Sequence, residues 1–252
     1  MIARIDTSER DRVVYLRVSS PTRPHDLAPL AWELLDTCQA LEEREAPLVA
    51  VALVAGPGPF WVEPVTSAAD CDAAAGPWSD ATRALGRLNT PTLACVGGDA
   101  IGPAWDLALA CDLRLVASEA HVGSPEIRWG RMPSAGATQR LTRLAGQPTA
   151  LRLLLLGQLV AAPLLVDMGL AVSSPPGTEL GRELERVLNE LRRSAPIALA
   201  YAREAVHHAV ELRLEDGLRL EADLATLLQT TEDRMTGITG FLQRRPASFE
   251  GR

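Results

Sequence analysis

Apolar and polar positions along this chain follow two different periods. Arg12 to Val18 alternates in the manner of a strand, and Leu27 to Leu41 places apolar residues at helical spacing before the charged segment EEREAP. Leu48 to Ala55 is continuously apolar and ends in Gly56-Pro57-Gly58-Pro59, the pattern of a parallel strand buried on both faces that runs into a loop. Ser79 to Leu88 predicts a short amphipathic helix, Thr92 to Val96 a second buried strand, Asp106 to Cys111 the opening of a helix, and Leu113 to Val116 a further strand. Strands alternating with helices predict an α/β fold with parallel pairing. Beyond about Ala145 the strand period disappears, and Pro148 to Leu156, Glu179 to Ser194, Ile197 to Arg213 and Leu218 to Thr230 all read as helices. Pro175-Pro176-Gly177 punctuates the change and divides the chain into an α/β core over residues 1–175 and a helical region over 176–252.

Composition narrows the classes. At 252 residues, 47% hydrophobic and 23% charged, the chain is long enough for one large domain or a domain with an appendage, and it is neither fibrous nor disordered. A net charge of -7 argues against general affinity for nucleic acid or for an anionic membrane surface, so any phosphate must be held locally. Every basic residue other than histidine is an arginine. Cys38, Cys71, Cys95 and Cys111 show no CxxC pairing and no zinc-ligand spacing, and read as reduced core residues without a metal. The opening MIARIDTSERDRVVYL carries charges throughout and lacks the apolar stretch of a secretory signal. No apolar run reaches the roughly 18 residues of a membrane span, so a cytoplasmic location is expected.

The chemistry concentrates between Pro91 and Leu141, PTLACVGGDAIGPAWDLALACDLRLVASEAHVGSPEIRWGRMPSAGATQRL. This stretch resembles the core of the crotonase (enoyl-CoA hydratase/isomerase) superfamily, which reads as an apolar strand, then NGxAxGGGxELALACD, then FGxPExxxGxxPGAGGTQRL. Gly98, Ala100, Gly102, the run Leu107 to Asp112, Pro125-Glu126, Gly130, Pro133 and Thr138 to Leu141 match; Pro103 and Ala104 replace two glycines, and Asp106 replaces a glutamate. The likeness extends over about Leu48 to Arg252 and is loose over the first fifty residues, where SSPTRPHDL stands at the usual NRP-N-A-L position. It implies a ClpP-like spiral of ββα units with a helical C-terminal region that packs against neighbouring subunits in a homotrimer or a hexamer. It also implies an acyl-CoA or acyl-carrier thioester as substrate. Coenzyme A enters only as part of that substrate, and no separate cofactor is expected.

Such enzymes stabilise the enolate formed next to a thioester carbonyl, using two backbone N–H groups as an oxyanion hole. Losing one such donor costs on the order of 3 kcal/mol of barrier. The resemblance places one donor at Pro103, which has no N–H, and the other at Pro64 of the segment Phe60-Trp61-Val62-Glu63-Pro64-Val65. Pro103 also suits the first helical position, where its missing N–H would go unpaired anyway. A shifted backbone would offer the Ala104 or Val65 N–H instead.

The same resemblance assigns Glu126 to the acid/base position and Asp106, one methylene short, to the position of the second hydratase glutamate. Asp106 equally suits the first turn of its own helix as a charge on the positive helix end. Trp105 and Trp129 stand where the family prefers small or aliphatic residues, and would line or fill the acyl pocket. Arg23, Arg244 and Arg245 fall near regions that meet the CoA nucleotide, and arginine suits phosphate. Asp112 and Arg140 read as structural partners within the core, and His207 and His208 as solvated. Three functions remain open: an enoyl-CoA hydratase or isomerase, a non-catalytic thioester-binding or partner-supporting protein with a disabled oxyanion hole, and a specialised pathway enzyme performing hydrolysis, decarboxylation or ring chemistry.

Overall fold

In a computed structural model that describes residues 4–19, 27–56 and 68–252, the chain begins with an antiparallel hairpin of β1 (Ile5–Arg10) and β2 (Val13–Val18). Asp11 and Arg12 form its two-residue turn with positive φ angles of 50° and 60°, the twist a tight hairpin demands. Only Ile5 of β1 is buried, so this edge strand has no apolar alternation to announce it. β2 then pairs in parallel with β3 (Ala50–Ala55), β3 with β4 (Thr92–Val96), and β4 with β6 (Leu113–Val116). The predicted α/β class and parallel pairing are what the sheet order β1-β2-β3-β4-β6 contains. Buried Val and Leu side chains of these strands each contribute about 1.5–3 kcal/mol by leaving water.

The crossovers are helical. α1 (Leu27–Glu42) joins β2 to β3, and α2 (Ala68–Arg87) leads to β4. α2 is twice as long as the Ser79 to Leu88 prediction, because the helix continues through Gly76-Pro77 where the sequence signals a break. Packing of α2 along α1 offsets the single backbone hydrogen bond that Pro77 removes. Cys38, Cys95 and Cys111 are buried and unpaired, and burial pushes each thiol up to about 12, in keeping with inert core residues.

A second sheet, β5 (Ala100–Ile101), β7 (His121–Gly123) and β8 (Val160–Ala161), lies beside the first, with β5 and β7 parallel. Its strands are too short to carry a period, and none is legible as a pattern. Between β5 and β6 runs α3 (Pro103–Ala110), which starts three residues before its predicted opening. α4 (Ala137–Leu155) is two helical arms meeting at Gly146, whose φ of 78° and ψ of 159° interrupt the helix just before Pro148. α5 (Ala162–Asp167) follows β8. The remainder is helical: α6 (Leu180–Arg192), α7 (Pro196–His208), α8 (Leu214–Leu228) and α9 (Glu232–Gln243), the last without a sequence expectation. No helix among the described residues is long and apolar enough to cross a membrane.

Candidate active site

Two backbone connections bring the chemistry together. Ala100 and Ile101 pair in parallel with Val122 and Gly123, and the Gly102 N–H donates to the Gly123 carbonyl at 2.8 Å. The start of α3 is thereby fixed beside the segment 124–126, which continues as a 3-10 turn over Glu126–Trp129. Gly102 caps α3 at a φ of 63°, and a Cβ there would stand 3.0 Å from Glu126 Oε1. Glycine is required at this position both for its backbone and for the approach of the carboxyl group.

Glu126 and Asp106 are 4% and 1% exposed, so two carboxyl groups occupy the interior near one helix end. Burial, and then the neighbouring Glu126 charge, push Asp106 up to about 7; the N–H groups of Ala135 and Ala137 and the Arg140 charge act the other way. Asp106 sits in the first turn of its own helix, yet its Oδ2 reaches across to accept from the Ala135 N–H at 3.1 Å. Its Oδ1 is buried without a hydrogen-bond partner among the described residues. Arg140 holds the same loop from the other side, donating to the Ala135 carbonyl at 2.7 Å and to the Thr82 carbonyl at 3.4 Å.

Pro103 is the first residue of α3 and leaves that position without an N–H. The N–H groups of the following first-turn residues lie beyond the reach of intrahelical carbonyls and point out of the N-terminal end. The Trp78 indole N–H, from α2, donates to the Pro103 carbonyl at 2.9 Å. Sequence reasoning missed Trp78, because only the tertiary approach of α2 to α3 gives it a partner. Ala104 is buried directly behind Pro103.

The other expected residues are dispersed. Trp105, 2% exposed, is enclosed in the hydrophobic core, where it lines a small cavity with Ser124, Leu141 and Leu165, whereas Trp129 at the end of the turn is 44% exposed. Arg244 and Arg245 are exposed where α9 ends, and their side chains make no hydrogen bond or ion pair among the described residues. Arg23, Pro64 and Val65 lie outside the described residues. Among the described residues no cluster of His, Cys, Asp and Glu is arranged to hold a metal.

One expectation is corrected by the structure. His207 is not merely solvated: its Nε2 lies 2.7 Å from Asp112 Oδ1, while Arg203 Nε donates to Asp112 Oδ2 at 2.7 Å. The Thr92 N–H and hydroxyl complete the shell around Asp112 at 2.8 and 3.0 Å. Burial tends to raise this carboxyl, but the His207 and Arg203 hydrogen bonds outweigh it and hold it below its ordinary value. Asp112 is a structural partner, as its position in the sequence suggests, and its partners tie α7 to the core.

Comparison with known proteins places the chain in a family. The profile of the family described as enoyl-CoA hydratase/isomerase matches residues 67–252. A curated relative, "2,3-dehydroadipyl-CoA hydratase" of Escherichia coli, is 38% identical over 168 residues, which is 67% of this chain and 66% of that protein. The mitochondrial enoyl-CoA hydratase of Pongo abelii is 34% identical over 166 residues, 66% of this chain and 57% of its own. The matched region thus spans less than two thirds of these relatives' own length. Among solved structures, enoyl-CoA hydratase from Bacillus anthracis superposes with a TM-score of 0.90 at 25% identity, covering 98% of this chain and 99% of that one. A probable enoyl-CoA hydratase/isomerase from Mycobacterium abscessus gives 0.88 at 26% identity over 100% of both chains. The mixed α/β fold with its helical C-terminal region is the crotonase fold of these structures, and the chain belongs to the enoyl-CoA hydratase/isomerase family.

Proposed function

We propose that the protein acts on an acyl-CoA-type thioester and moves a proton next to the thioester carbonyl, with Glu126 as the acid/base. The observation that carries this reading is the pair of buried carboxyl groups, Glu126 and Asp106, at the N-terminal end of α3. Glu126 takes a proton from the carbon next to the thioester carbonyl while the electron pair of that C–H bond moves toward the carbonyl oxygen, giving the enolate. Returning the proton at a second carbon completes an isomerisation. Water addition needs a second carboxylate to hold the water, and Asp106 is shorter than glutamate and engaged with the Ala135 N–H. The residues therefore favour proton transfer over hydration. With Pro103 in place, the Ala104 N–H is the first backbone donor that α3 offers to the developing oxyanion.

A second reading is a non-catalytic thioester-binding or partner-supporting protein, and Pro103 favours it because it deletes a backbone donor. Either reading is compatible with a trimer or hexamer assembled through the helical region. Hydrogen–deuterium exchange at the carbon next to the thioester carbonyl, followed by mass spectrometry over a panel of saturated and unsaturated acyl-CoA thioesters, separates them. Enzyme-dependent exchange, lost in Glu126→Gln, is expected on the first reading; binding of the panel without exchange favours the second.

A further inference from the structure

We infer that Trp78 is a positioning residue that orients and polarises the Pro103–Ala104 peptide, so that the Ala104 N–H serves as the oxyanion donor in place of the one Pro103 lacks. The inference rests on the acyl-thioester reading. Trp78 is buried on α2, outside the signature segment that carries the family resemblance, and its ring N–H has the Pro103 carbonyl as an acceptor at 2.9 Å. A buried indole N–H needs an acceptor, but this one selects the single peptide unit that joins the N–H-less residue to the next possible donor.

One amide carries both groups, the carbonyl of Pro103 and the N–H of Ala104. A hydrogen bond accepted by the carbonyl draws electron density from the amide nitrogen and makes its N–H a better donor, the cooperative effect of hydrogen bonds in series. The chain of donors runs from the Trp78 N–H to the Pro103 oxygen, then from the Ala104 N–H to the thioester oxygen. The same bond restrains rotation of the peptide plane, which matters because Pro103 follows directly on Gly102, a residue with a φ of 63°. The α2 helix that supplies Trp78 is itself seated against α1 and α3, so the indole is delivered by a packed element rather than by a loop. Asp106, three residues into the same helix, keeps a buried oxygen without a partner among the described residues, so the N-terminal end of α3 presents unspent polar groups on both counts.

The test uses the full-length protein with a saturated acyl-CoA labelled with carbon-13 at the thioester carbonyl. Its carbonyl stretch is read by infrared difference spectroscopy, bound and free, and hydrogen–deuterium exchange at the carbon next to the carbonyl is followed in parallel. The wild type is expected to lower the stretching frequency. Trp78→Phe is expected to lose part of that shift and to slow kcat for exchange roughly tenfold with little change in KM, since a weakened oxyanion donor acts on the transition state more than on binding. Trp78→His, which keeps a ring N–H, is expected to recover part of both, and carries the test if Trp78→Phe does not fold. An active wild type whose carbonyl frequency and kcat are unchanged in Trp78→Phe overturns the inference and leaves the functional reading standing. A variant that raises KM alone, with the carbonyl shift intact, also overturns it by reducing Trp78 to a packing residue. A wild type that binds the thioester with neither a carbonyl shift nor exchange removes the functional reading and this inference together.

Discussion

At the scale of single residues, the buried Asp106 carboxyl makes stability depend on pH. Asp106 is pushed up to about 7 by burial and by Glu126, so in the folded chain it binds a proton that the unfolded chain has released. Stability therefore falls as pH rises from about 4 to about 7, and the penalty is complete above the folded value. A tenfold difference in proton affinity between the folded and unfolded chain corresponds to about 1.4 kcal/mol, so a penalty of a few kcal/mol is at stake. Asp106→Asn keeps an oxygen for the Ala135 N–H and removes the charge. Its melting temperature is expected to lack the wild type's decline across that interval, and a parallel decline in both proteins would refute the assignment. Glu126→Gln is expected to reduce hydrogen exchange at the carbon next to the thioester carbonyl at least 100-fold, since a positioned general base contributes about 10²–10⁴-fold, while leaving the melting temperature within a few degrees. Retained exchange would move the base elsewhere. Both residues are legible as carboxylates in a family pattern, but the link from Asp106 to Ala135 is not, because 29 positions of sequence separate them.

At the scale of elements, Asp112 shows how α7 is joined to the core. The cluster of Thr92, Asp112, Arg203 and His207 bridges β4, the end of α3 and α7. The Asp112 carboxyl is held below its ordinary value, so its stabilising contribution is present above about pH 4 and is lost as pH falls through the lower folded value. Asp112→Asn is expected to cost about 2–3 kcal/mol in urea unfolding at pH 7, because Arg203 is left largely buried without its counter-charge. The difference from wild type should shrink on acidification. An equal cost at pH 7 and at pH 3 would show that the charge is not what holds the helix. The helical spacing of Ile197 to Arg213 is readable, and the pairing is not, since a histidine on a half-exposed helix face has no signature that distinguishes solvent from a distant aspartate. The α2 helix teaches the complementary point: Gly76-Pro77 reads as a stop, and packing against α1 carries the helix through it.

At the scale of the molecule, the helical region leaves large apolar side chains in water. Phe241 is 84% exposed and Leu242 75% exposed on α9, with Val206 and Leu214 exposed on α7 and α8. Covering such residues is worth about 1.5–3 kcal/mol each, which favours the proposed trimer or hexamer assembled through these helices. Light scattering coupled to size exclusion is expected to give a multiple of three chains. Phe241→Asp with Leu242→Asp is expected to shift the population to smaller species without unfolding the α/β core. A wild-type monomer at micromolar concentration would remove the assembly proposal.

Periodicity alone determined that strands of continuous apolar character pair in parallel and that the second half is helical, because the hydrophobic effect acts on every turn and every other strand position in a long element. The motif residues around Pro103, Asp106 and Glu126 determined the family expectation, and the proline determined by itself that one backbone donor is missing. Short strands such as β5 and β7 carry no period, so only the tertiary structure decided that they pair and bring Gly102 against Glu126. It also decided that Asp106 turns to Ala135, that Trp78 meets the Pro103 carbonyl, and that Trp105 is enclosed in the core. These are contacts between residues far apart in sequence, selected by how packed elements approach, and no local pattern encodes them.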